Sequence, residues 1–348
     1  LGGNQNLQKD VKKYVQNWIE EGLIDWDITR DISWGVPVPI DGVNDKVFYG
    51  WFDNHLAYIS SAVKFLSDNG KDGKKFWNES DIYHFIGKDI VYHHYLFLPA
   101  MRLGIGEEYK LPDYIPTRGH LTLQAKKISK SRNWYIGLKD FLQIFPADYL
   151  RFYLVSINPY SQDDLNFDWD EFAIKINSEL IGNLGNLVNR ALGFTVKAFD
   201  SIVPDPEEFD DMDKESEKAI KDLGSEMGVL MEQNHLDRAL KKILQFSAHF
   251  NQYFQHKEPW KKSHGTGSCV YLSVNAVRSL AIAIYPFLPK SSQKIWVQLG
   301  MDGDVSAQSF DEISNITIKQ GHKLGKISPL FEKVEESVIE EQKKKLGI

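Results

Sequence analysis

The chain has 348 residues, of which 42% are hydrophobic, 13% aromatic and 26% charged, a composition typical of a globular protein with more than one domain. A formal net charge of −7 excludes a protein that coats nucleic acid through its overall charge, although it allows a local basic surface. The single cysteine, Cys269, excludes an internal disulfide and a cysteine-rich zinc site.

No signal peptide is visible at the N-terminus and no run of 18 apolar residues predicts a membrane span, so we expect a cytoplasmic protein without a membrane partner.

The first part of the chain predicts one amphipathic helix and then a strand. Within residues 1–25, Val11, Val15 and Trp18 recur at helical spacing. The apolar run 46–52 predicts a strand, and a helix is expected over about 55–66.

Residues 82–103 predict a strand, a polar turn and a helix. The apolar run 82–86 ends at Gly87-Lys88-Asp89, and a helix with two largely apolar sides is expected over about 90–103. Strands that alternate with helices are typical of a parallel α/β sheet, which binds ligands beyond the carboxyl ends of its strands. The turn at 87–89 is therefore a natural place to look for a site.

From about Asp163 onward the pattern is helical, and no strand is expected. Apolar residues recur every three or four positions in three stretches, over about 180–192, 220–250 and 274–284. A proline-rich acidic segment at 204–208 predicts a loop between helices. The C-terminal part is therefore predicted to be a helix bundle that joins the α/β part near residues 160–175.

The sharpest local signal is the basic sequence Lys127-Ile128-Ser129-Lys130-Ser131. Two ammonium groups on a loop can neutralise a triphosphate and stabilise the charge that develops during nucleotidyl transfer. Charge alone is equally compatible with a solvated basic loop. The residue order resembles the Lys-Met-Ser-Lys-Ser signature of class I aminoacyl-tRNA synthetases, with Ile128 in place of Met.

The chain resembles methionyl-tRNA synthetases over essentially its whole length. The segments that carry the resemblance occur in the family's order, and they are 26–31, 48–53, 84–92, 127–131, 186–190 and 258–260. The resemblance implies an α/β fold, the second half of a Rossmann-like domain, followed by an all-α anticodon-binding helix bundle. It divides the chain into an exit helix of an inserted domain (1–25), the Rossmann-like half (26–117), the lysine loop with a stem-contact region (118–175) and the anticodon-binding domain (176–348).

The resemblance also implies roles for individual residues. Lys127 and Lys130 would act in catalysis, with ATP and Mg²⁺ as substrate and ion. The positions implied for ATP binding are Gly87, Asp89, Gly119, Leu121, Lys127, Ser129, Lys130 and Ser131. Those implied for methionine are Trp51, Tyr58, Asp89 and His94. Arg30, His84 and Lys88 are expected near the site without an assigned role.

A thioether makes favourable contacts at aromatic ring edges, which supports the methionine assignment. Without the resemblance, Trp51 and Tyr58 could equally be core residues and His94 a core histidine.

A polar helix face is the candidate tRNA contact. Asn183, Asn186 and Arg190 are spaced three and four apart, so they share one face of a helix. Asn and Arg suit base edges, and Trp260 offers a stacking surface for an unpaired base. The spacing alone favours a solvated polar stripe and an ordinary tryptophan at a helix end. The resemblance implies that Asn186, Arg190 and Trp260 read the anticodon of tRNA(Met), which would be a partner together with L-methionine and ATP.

The sequence departs from the family pattern in several places. The ten histidines include no His-x-Gly-His signature, and the zinc knuckles of the family are missing, so we expect that the N-terminal half of the catalytic domain is absent and that this chain alone forms methionyl-adenylate poorly or not at all. Residues 54–57 read Asn-His-Leu-Ala where many relatives have Ala-Pro-Ile-Gly, and Arg118 and His120 differ from the commoner residues beside Gly119.

Two alternatives to a methionine–tRNA ligase stay open. One is a class I synthetase for another amino acid, and the other is a non-catalytic RNA-binding protein derived from a synthetase.

Overall fold

A computed structural model describes residues 3–104, 106 and 109–348, so Leu1 and Gly2 of the predicted exit-helix region lie outside the described residues. The chain forms two compact units. Unit 1 comprises Leu1–His120 and Ser161–Asp163, and unit 2 comprises Leu121–Tyr160 and Asp164–Ile348.

Unit 1 alternates short strands with helices. In chain order these are α1 (Lys9–Glu21), β1 (Thr29–Arg30), β2 (Val47–Phe48), α2 (Gly50–Asp53), α3 (Leu56–Asp68), α4 (Gly73–Glu79), β3 (Ile86–Gly87), α5 (Leu98–Gly104) and β4 (Thr117–Arg118). The predicted N-terminal helix is confirmed by α1, which buries Val11 and Val15. A 3-10 turn at Lys88–Ile90 and a π-helical turn at His93–Phe97 precede α5, which confirms the helix predicted over about 90–103.

The strands of unit 1 confirm one expectation and correct another. β3 pairs in parallel with β4, with Ile86 opposite Thr117, as the predicted α/β pattern requires. The strand predicted over 46–52 is wrong after Phe48, because the chain turns at Gly50 into α2. The amide of Phe52 bonds to the carbonyl of Tyr49, which closes this turn. Trp51 therefore lies on a helix, and its ring centroid is 4.4 Å from that of His93.

Unit 2 begins with a small sheet and continues as helices. In chain order it contains β5 (Leu121–Leu123), β6 (Lys126–Lys127), α6 (Leu138–Ile144), α7 (Ala147–Ser156), β7 (Leu165–Phe167), α8 (Trp169–Lys175), α9 (Asn186–Ala198), α10 (Asp211–Glu232), α11 (Leu236–Lys257), α12 (Thr266–Ile284), α13 (Pro289–Gln298) and α14 (Glu336–Leu346). A π-helical stretch at Ile176–Gly185 joins α8 to α9. Single 3-10 turns lie at Lys130–Arg132, Pro259–Lys261, Val305–Ala307 and Phe310–Ser314.

The sheet of unit 2 has β5 in the middle, antiparallel to β6 and parallel to β7. The expectation of no strand after Asp163 is therefore wrong at β7. A strand of three residues is too short to show an alternating pattern, and its pairing comes from contacts distant in sequence. The hydroxyl of Thr122 on β5 donates to the carbonyl of Leu165, and the amide of Ala125 donates to the side chain of Asn166.

The long helices of unit 2 enclose a continuous apolar core. α10, α11 and α12 confirm the helical patterns predicted over 220–250 and 274–284. By length and composition α12 could cross a membrane, but 94% of its most apolar window is buried inside the protein, as in a core helix. Cys269 lies on α12, and burial raises the pKa of its thiol to about 12.

Candidate functional site

In unit 1, Tyr58 and His94 form a hydrogen-bonded pair. The Nδ1 atom of His94 lies 3.0 Å from the carbonyl oxygen of Ile90, which can only accept, so Nδ1 carries the proton. Nε2 of His94 therefore accepts from the hydroxyl of Tyr58, at 3.2 Å. His94 is fully buried, while 44% of Tyr58 is exposed. A buried, neutral imidazole thus orients an accessible phenol.

Three further histidines surround this pair, and the sequence analysis assigned no role to them. The ring of His55 lies 5.1 Å from that of His94, the ring of His84 lies 4.7 Å from that of Tyr58, and the ring of His93 lies 4.4 Å from that of Trp51 at a tilt of 34°. We call His55, His84, His93 and His94 the histidine cluster. Nε2 of His55, Nδ1 of His84 and both ring nitrogens of His93 are buried without a hydrogen-bond partner among the described residues.

The histidine cluster is neutral at physiological pH. Burial, reinforced by the neighbouring imidazoles, lowers the pKa of His55 to about 4. Burial and the neighbouring His94 likewise lower the pKa of His84 to about 4. Within residues 3–104, 106 and 109–348, no group of three or more His, Cys, Asp or Glu side chains could hold a metal ion.

A groove of about 1050 Å³ in unit 1 is lined by Trp51 together with Arg30, Trp34 and Tyr49. Its volume is that of a small-molecule site. The guanidinium of Arg30 lies 3.7 Å from the centroid of the Tyr49 ring, which fixes the arginine at the edge of this groove. Arg30 and Trp51, two residues expected near the site, therefore line one cavity.

The turn after β3 brings Gly87, Asp89 and His120 together. A Cβ atom at Gly87 would lie 2.5 Å from Oδ1 of Asp89, so a larger residue here would displace the carboxylate. The same Oδ1 atom is 3.3 Å from Nε2 of His120, which follows Gly119 after β4. Lys88 donates to the carbonyl of Gln162 at 3.5 Å and is thereby held at this turn. The parallel pair β3–β4 thus places Gly87, Asp89 and Gly119 at one edge.

The lysine loop lies in unit 2, on the hairpin formed by β5 and β6. Gln124 and Ala125 form the turn of this hairpin with positive φ angles of 49° and 59°, and Lys127 pairs with Thr122. Leu121 is half-buried at the start of β5. Lys127 and Lys130 are exposed, as phosphate contacts require.

The loop itself is closed by reciprocal backbone bonds between Ser129 and Trp134, at 2.8 and 2.9 Å. The hydroxyls of Ser129 and Ser131 lie 3.2 Å apart. The indole of Trp134 donates to the carbonyl of Leu123, so it anchors the loop to β5. This anchoring residue was not foreseen from the sequence.

The predicted polar face of α9 packs on α11. Asn251 of α11 accepts a hydrogen bond from the side chain of Asn186 at 2.7 Å and donates to Asn183 at 2.9 Å. The guanidinium of Arg190 donates to Oε1 of Gln255 at 2.7 Å. Asn186 and Arg190 are therefore half-buried and held in place. The sequence did not predict their partners, Asn251 and Gln255, because the pairing joins two separate helices.

Arg190 and Trp260 meet on the surface of unit 2. The guanidinium carbon of Arg190 lies 5.9 Å from the Trp260 ring centroid and 5.3 Å from that of Phe254. Trp260 remains 43% exposed, so a face of the indole is open to a ligand. An arginine, an accessible tryptophan and Asn186 on the same helix as the arginine form an arrangement that can stack on and hydrogen-bond an unpaired base.

Comparison with known proteins identifies the family. Residues 2–192 match the family model for "tRNA synthetases class I (M)". The chain belongs to the methionyl class I tRNA synthetases. Residues 203–347 match the model for the "Anticodon binding domain of methionyl tRNA ligase". The family predicted from the sequence is thereby confirmed.

Individual relatives agree with this placement. The chain is 40% identical to a methionine–tRNA ligase of Methanopyrus kandleri, over 99% of this chain and 51% of that protein. It is also 40% identical to one from Pyrococcus horikoshii, over 97% of this chain and 48% of that protein. The chain thus spans about half the length of these relatives.

Solved structures show the same fold. A Mycobacterium tuberculosis methionyl-tRNA synthetase in complex with methionyl-adenylate superposes with a TM-score of 0.83 at 27% identity, over 93% of this chain and 64% of that one. The apo form of the same enzyme gives a TM-score of 0.81 at 26% identity, over 94% of this chain and 64% of that one. The predicted fold class, part of a Rossmann-like domain followed by a helical anticodon-binding domain, is confirmed.

Proposed function

We propose that the chain contributes to a methionine–tRNA ligase, which activates L-methionine with ATP and transfers it to tRNA(Met). The family and the names of the relatives support this activity. The single observation that carries the tRNA part is the meeting of Arg190 and Trp260 on one accessible surface. That surface forms only when two helices and a turn, which include residues distant from one another in sequence, come together.

Methionine would bind next to the histidine cluster. Trp51 offers a ring to the thioether. Because the Tyr58 proton is directed to His94, the phenol oxygen can only accept from a substrate, as from the ammonium group of methionine. Asp89 would orient the substrates from the turn after β3, with its carboxylate held by His120.

In the first step, a carboxylate oxygen of methionine attacks the α-phosphorus of ATP, the bond to the β-phosphate breaks, and pyrophosphate leaves. Gly87, Gly119 and Leu121 are proposed to contact the nucleotide, together with Ser129 and Ser131. Lys127 and Lys130 would stabilise the charge that develops on the phosphates. When bound, Mg²⁺ would supply further charge neutralisation to the phosphates. Asp89, whose side chain is 60% exposed, would be a protein ligand for it.

In the second step, the 3′-terminal hydroxyl of the tRNA attacks the activated carbonyl carbon and AMP leaves. Asn186, Arg190 and Trp260 are proposed to recognise the anticodon within region 176–348, and region 118–175 to contact the tRNA stem. We propose that this activity is cytoplasmic, where a lone reduced cysteine is usual.

The test is the binding of the chain to tRNA(Met) and to the same tRNA with one anticodon base changed, at two salt concentrations. Specific recognition predicts that the base change weakens binding about tenfold, because good hydrogen bonds to one base edge discriminate by about 1–3 kcal/mol. Trp260→Ala should abolish this difference, because the base is then no longer stacked beside Arg190. Trp34→Ala, which removes another exposed tryptophan, is the matched control and should retain it. Equal, strongly salt-dependent binding of both tRNAs would contradict the proposal and favour a non-specific RNA-binding protein.

A further inference from the structure

A buried charge cluster joins the end of α11 to the beginning of α10. The ammonium of Lys257 donates to Asp210 at 2.8 Å and lies 2.8 Å from Oδ1 of Asp213. The hydroxyl of Tyr253 donates to the same Oδ1 atom at 2.5 Å. Only 8% of the Lys257 side chain and 1% of the Asp213 side chain are exposed. We call Asp210, Asp213, Tyr253 and Lys257 the Lys257 cluster.

Asp210 and Asp213 form the capping box of α10, which accounts for the two carboxylates but not for the buried ammonium of Lys257. Removing two charges from water costs several kcal/mol per ion, and apolar replacements of buried pairs are often as stable. What an ion pair does supply is a defined geometry, because its partners must stay at hydrogen-bond distance. Burial lowers the pKa of Lys257, but the hydrogen bonds to Asp210 and Asp213 and their negative charges together raise it above its usual value, so the ammonium stays charged.

The turn that follows Lys257 needs such a constraint. Glu258 and Lys262 both have positive φ angles, 42° and 51°, which are unfavourable for residues with a side chain. Trp260 lies between them, in the single 3-10 turn Pro259–Lys261. At the far end of the turn, a Cβ atom on Gly265 would lie 3.1 Å from Nζ of Lys257. Lys257 therefore adjoins one end of the strained segment in sequence and lies next to the other end through its ammonium.

We propose that Lys257 and Asp213 are positioning residues, which fix the 258–265 turn so that Trp260 stays beside Arg190 and open to an anticodon base. The proposal deepens the proposed tRNA recognition and rests on it. Among the residues that the structure describes, the Trp260 ring meets the Arg190 guanidinium at 5.9 Å and the Phe254 ring at 6.5 Å, so the backbone of the turn sets its direction.

The test is the double variant Asp213→Asn with Lys257→Met. Asparagine keeps an oxygen acceptor for Tyr253, and methionine keeps most of the apolar stem, so neither charge is left buried alone. Glu226→Gln with Lys242→Met is the matched control, because it removes an ion pair between the same two helices whose side chains are 47% and 34% exposed. The Tm of each variant is measured first.

We expect the cluster variant to lose the roughly tenfold discrimination between cognate and anticodon-changed tRNA, while the control retains it. Should the Tm of the cluster variant fall by more than a few degrees, Asp210→Asn serves instead. It preserves an N-cap side chain and removes one of the two carboxylates, so a partial loss of discrimination is expected. Unchanged discrimination in a folded cluster variant would overturn the proposal.

A second readout separates this inference from the proposed function. With 5-fluorotryptophan in the chain, the ¹⁹F resonance of Trp260 is assigned by its absence in Trp260→Phe. In the free protein we expect that resonance to shift and broaden in the cluster variant and not in the control. An unchanged resonance would overturn the positioning role whether or not the chain recognises tRNA. A shifted resonance in a chain whose wild type shows no anticodon discrimination would uphold the positioning role and contradict the tRNA proposal.

Discussion

The two units differ in how their apolar groups are buried. Unit 2 has one continuous core that runs from β5 to α14. Unit 1 has two small clusters, around Val11 and around Trp77, and exposes large side chains such as Trp34 at 85%. Since apolar burial is the main source of stability, unit 2 should be the more stable unit.

The largest expected effect is a core truncation in unit 2. Phe172→Ala removes a fully buried ring and should lower the free energy of unfolding of unit 2 by about 3–5 kcal/mol. Phe65→Ala in unit 1, where the ring is 68% exposed, should change stability by less than about 0.5 kcal/mol. Urea unfolding of both variants measures the difference, and similar losses would break the distinction between the units.

Acid should destabilise unit 1 selectively. His55 and His84 have pKa values of about 4 in the folded chain, below the ordinary value, so the unfolded chain binds more protons once the pH falls below about 6.5. The stability present above pH 6.5 is therefore lost progressively down to pH 4, by up to about 3 kcal/mol per imidazole.

Hydrogen exchange of peptides from α3 and α12 at pH 7 and pH 4.5, corrected for intrinsic rates, tests this effect. Protection should fall in α3 and persist in α12. A parallel loss in both helices would show that the histidine cluster is not the acid-sensitive element.

A smaller effect is expected for Tyr58→Phe. The substitution leaves the buried Nε2 atom of His94 without its donor and should cost about 1 kcal/mol. Tyr135→Phe, at a tyrosine of unit 2 that is 38% exposed, is the control. Equal midpoints of urea unfolding for Tyr58→Phe and the wild type would mean that the pair does not contribute in solution.

The smallest effect is expected where α14 packs on α8. Lys343 donates to Asp170 at 2.6 Å, with side chains 18% and 59% exposed. Asp170→Asn should cost at most about 1 kcal/mol, because exposed ion pairs are screened by water and salt. Proteolysis at the C-terminus should be slightly faster at low salt and unchanged at high salt. Lys333→Met is the control, because it removes an ion pair with Glu335 in the same unit and should leave the rate of proteolysis at the C-terminus unaltered.

The sequence predicted the long helices of unit 2 because their apolar period is sustained over many turns, as in α10 and α11. The predictions were wrong at β7 and at residues 50–52. Three or four residues show too little periodicity there, and tertiary pairing decides the conformation. Family resemblance identified Tyr58 and His94, whose contact the structure shows. The roles of the site residues remain predictions.

Other parts of the candidate site could not be foreseen in the sequence. The partners of Arg190 and Asn186 lie on α11, and nothing in the local sequence of either helix indicates that Asn251 and Gln255 face them. The histidine cluster was likewise invisible, because His55 and His93 belong to segments that meet only after folding.

The burial of Cys269 has a practical consequence for site-specific labelling. A thiol whose pKa lies near 12 inside a helix core is almost entirely protonated at neutral pH and inaccessible to maleimides. A cysteine introduced on the surface would then be the only reactive thiol of the folded chain. Fluorophore pairs for distance measurements in solution can therefore be attached without first removing the native residue, whose replacement would disturb α12.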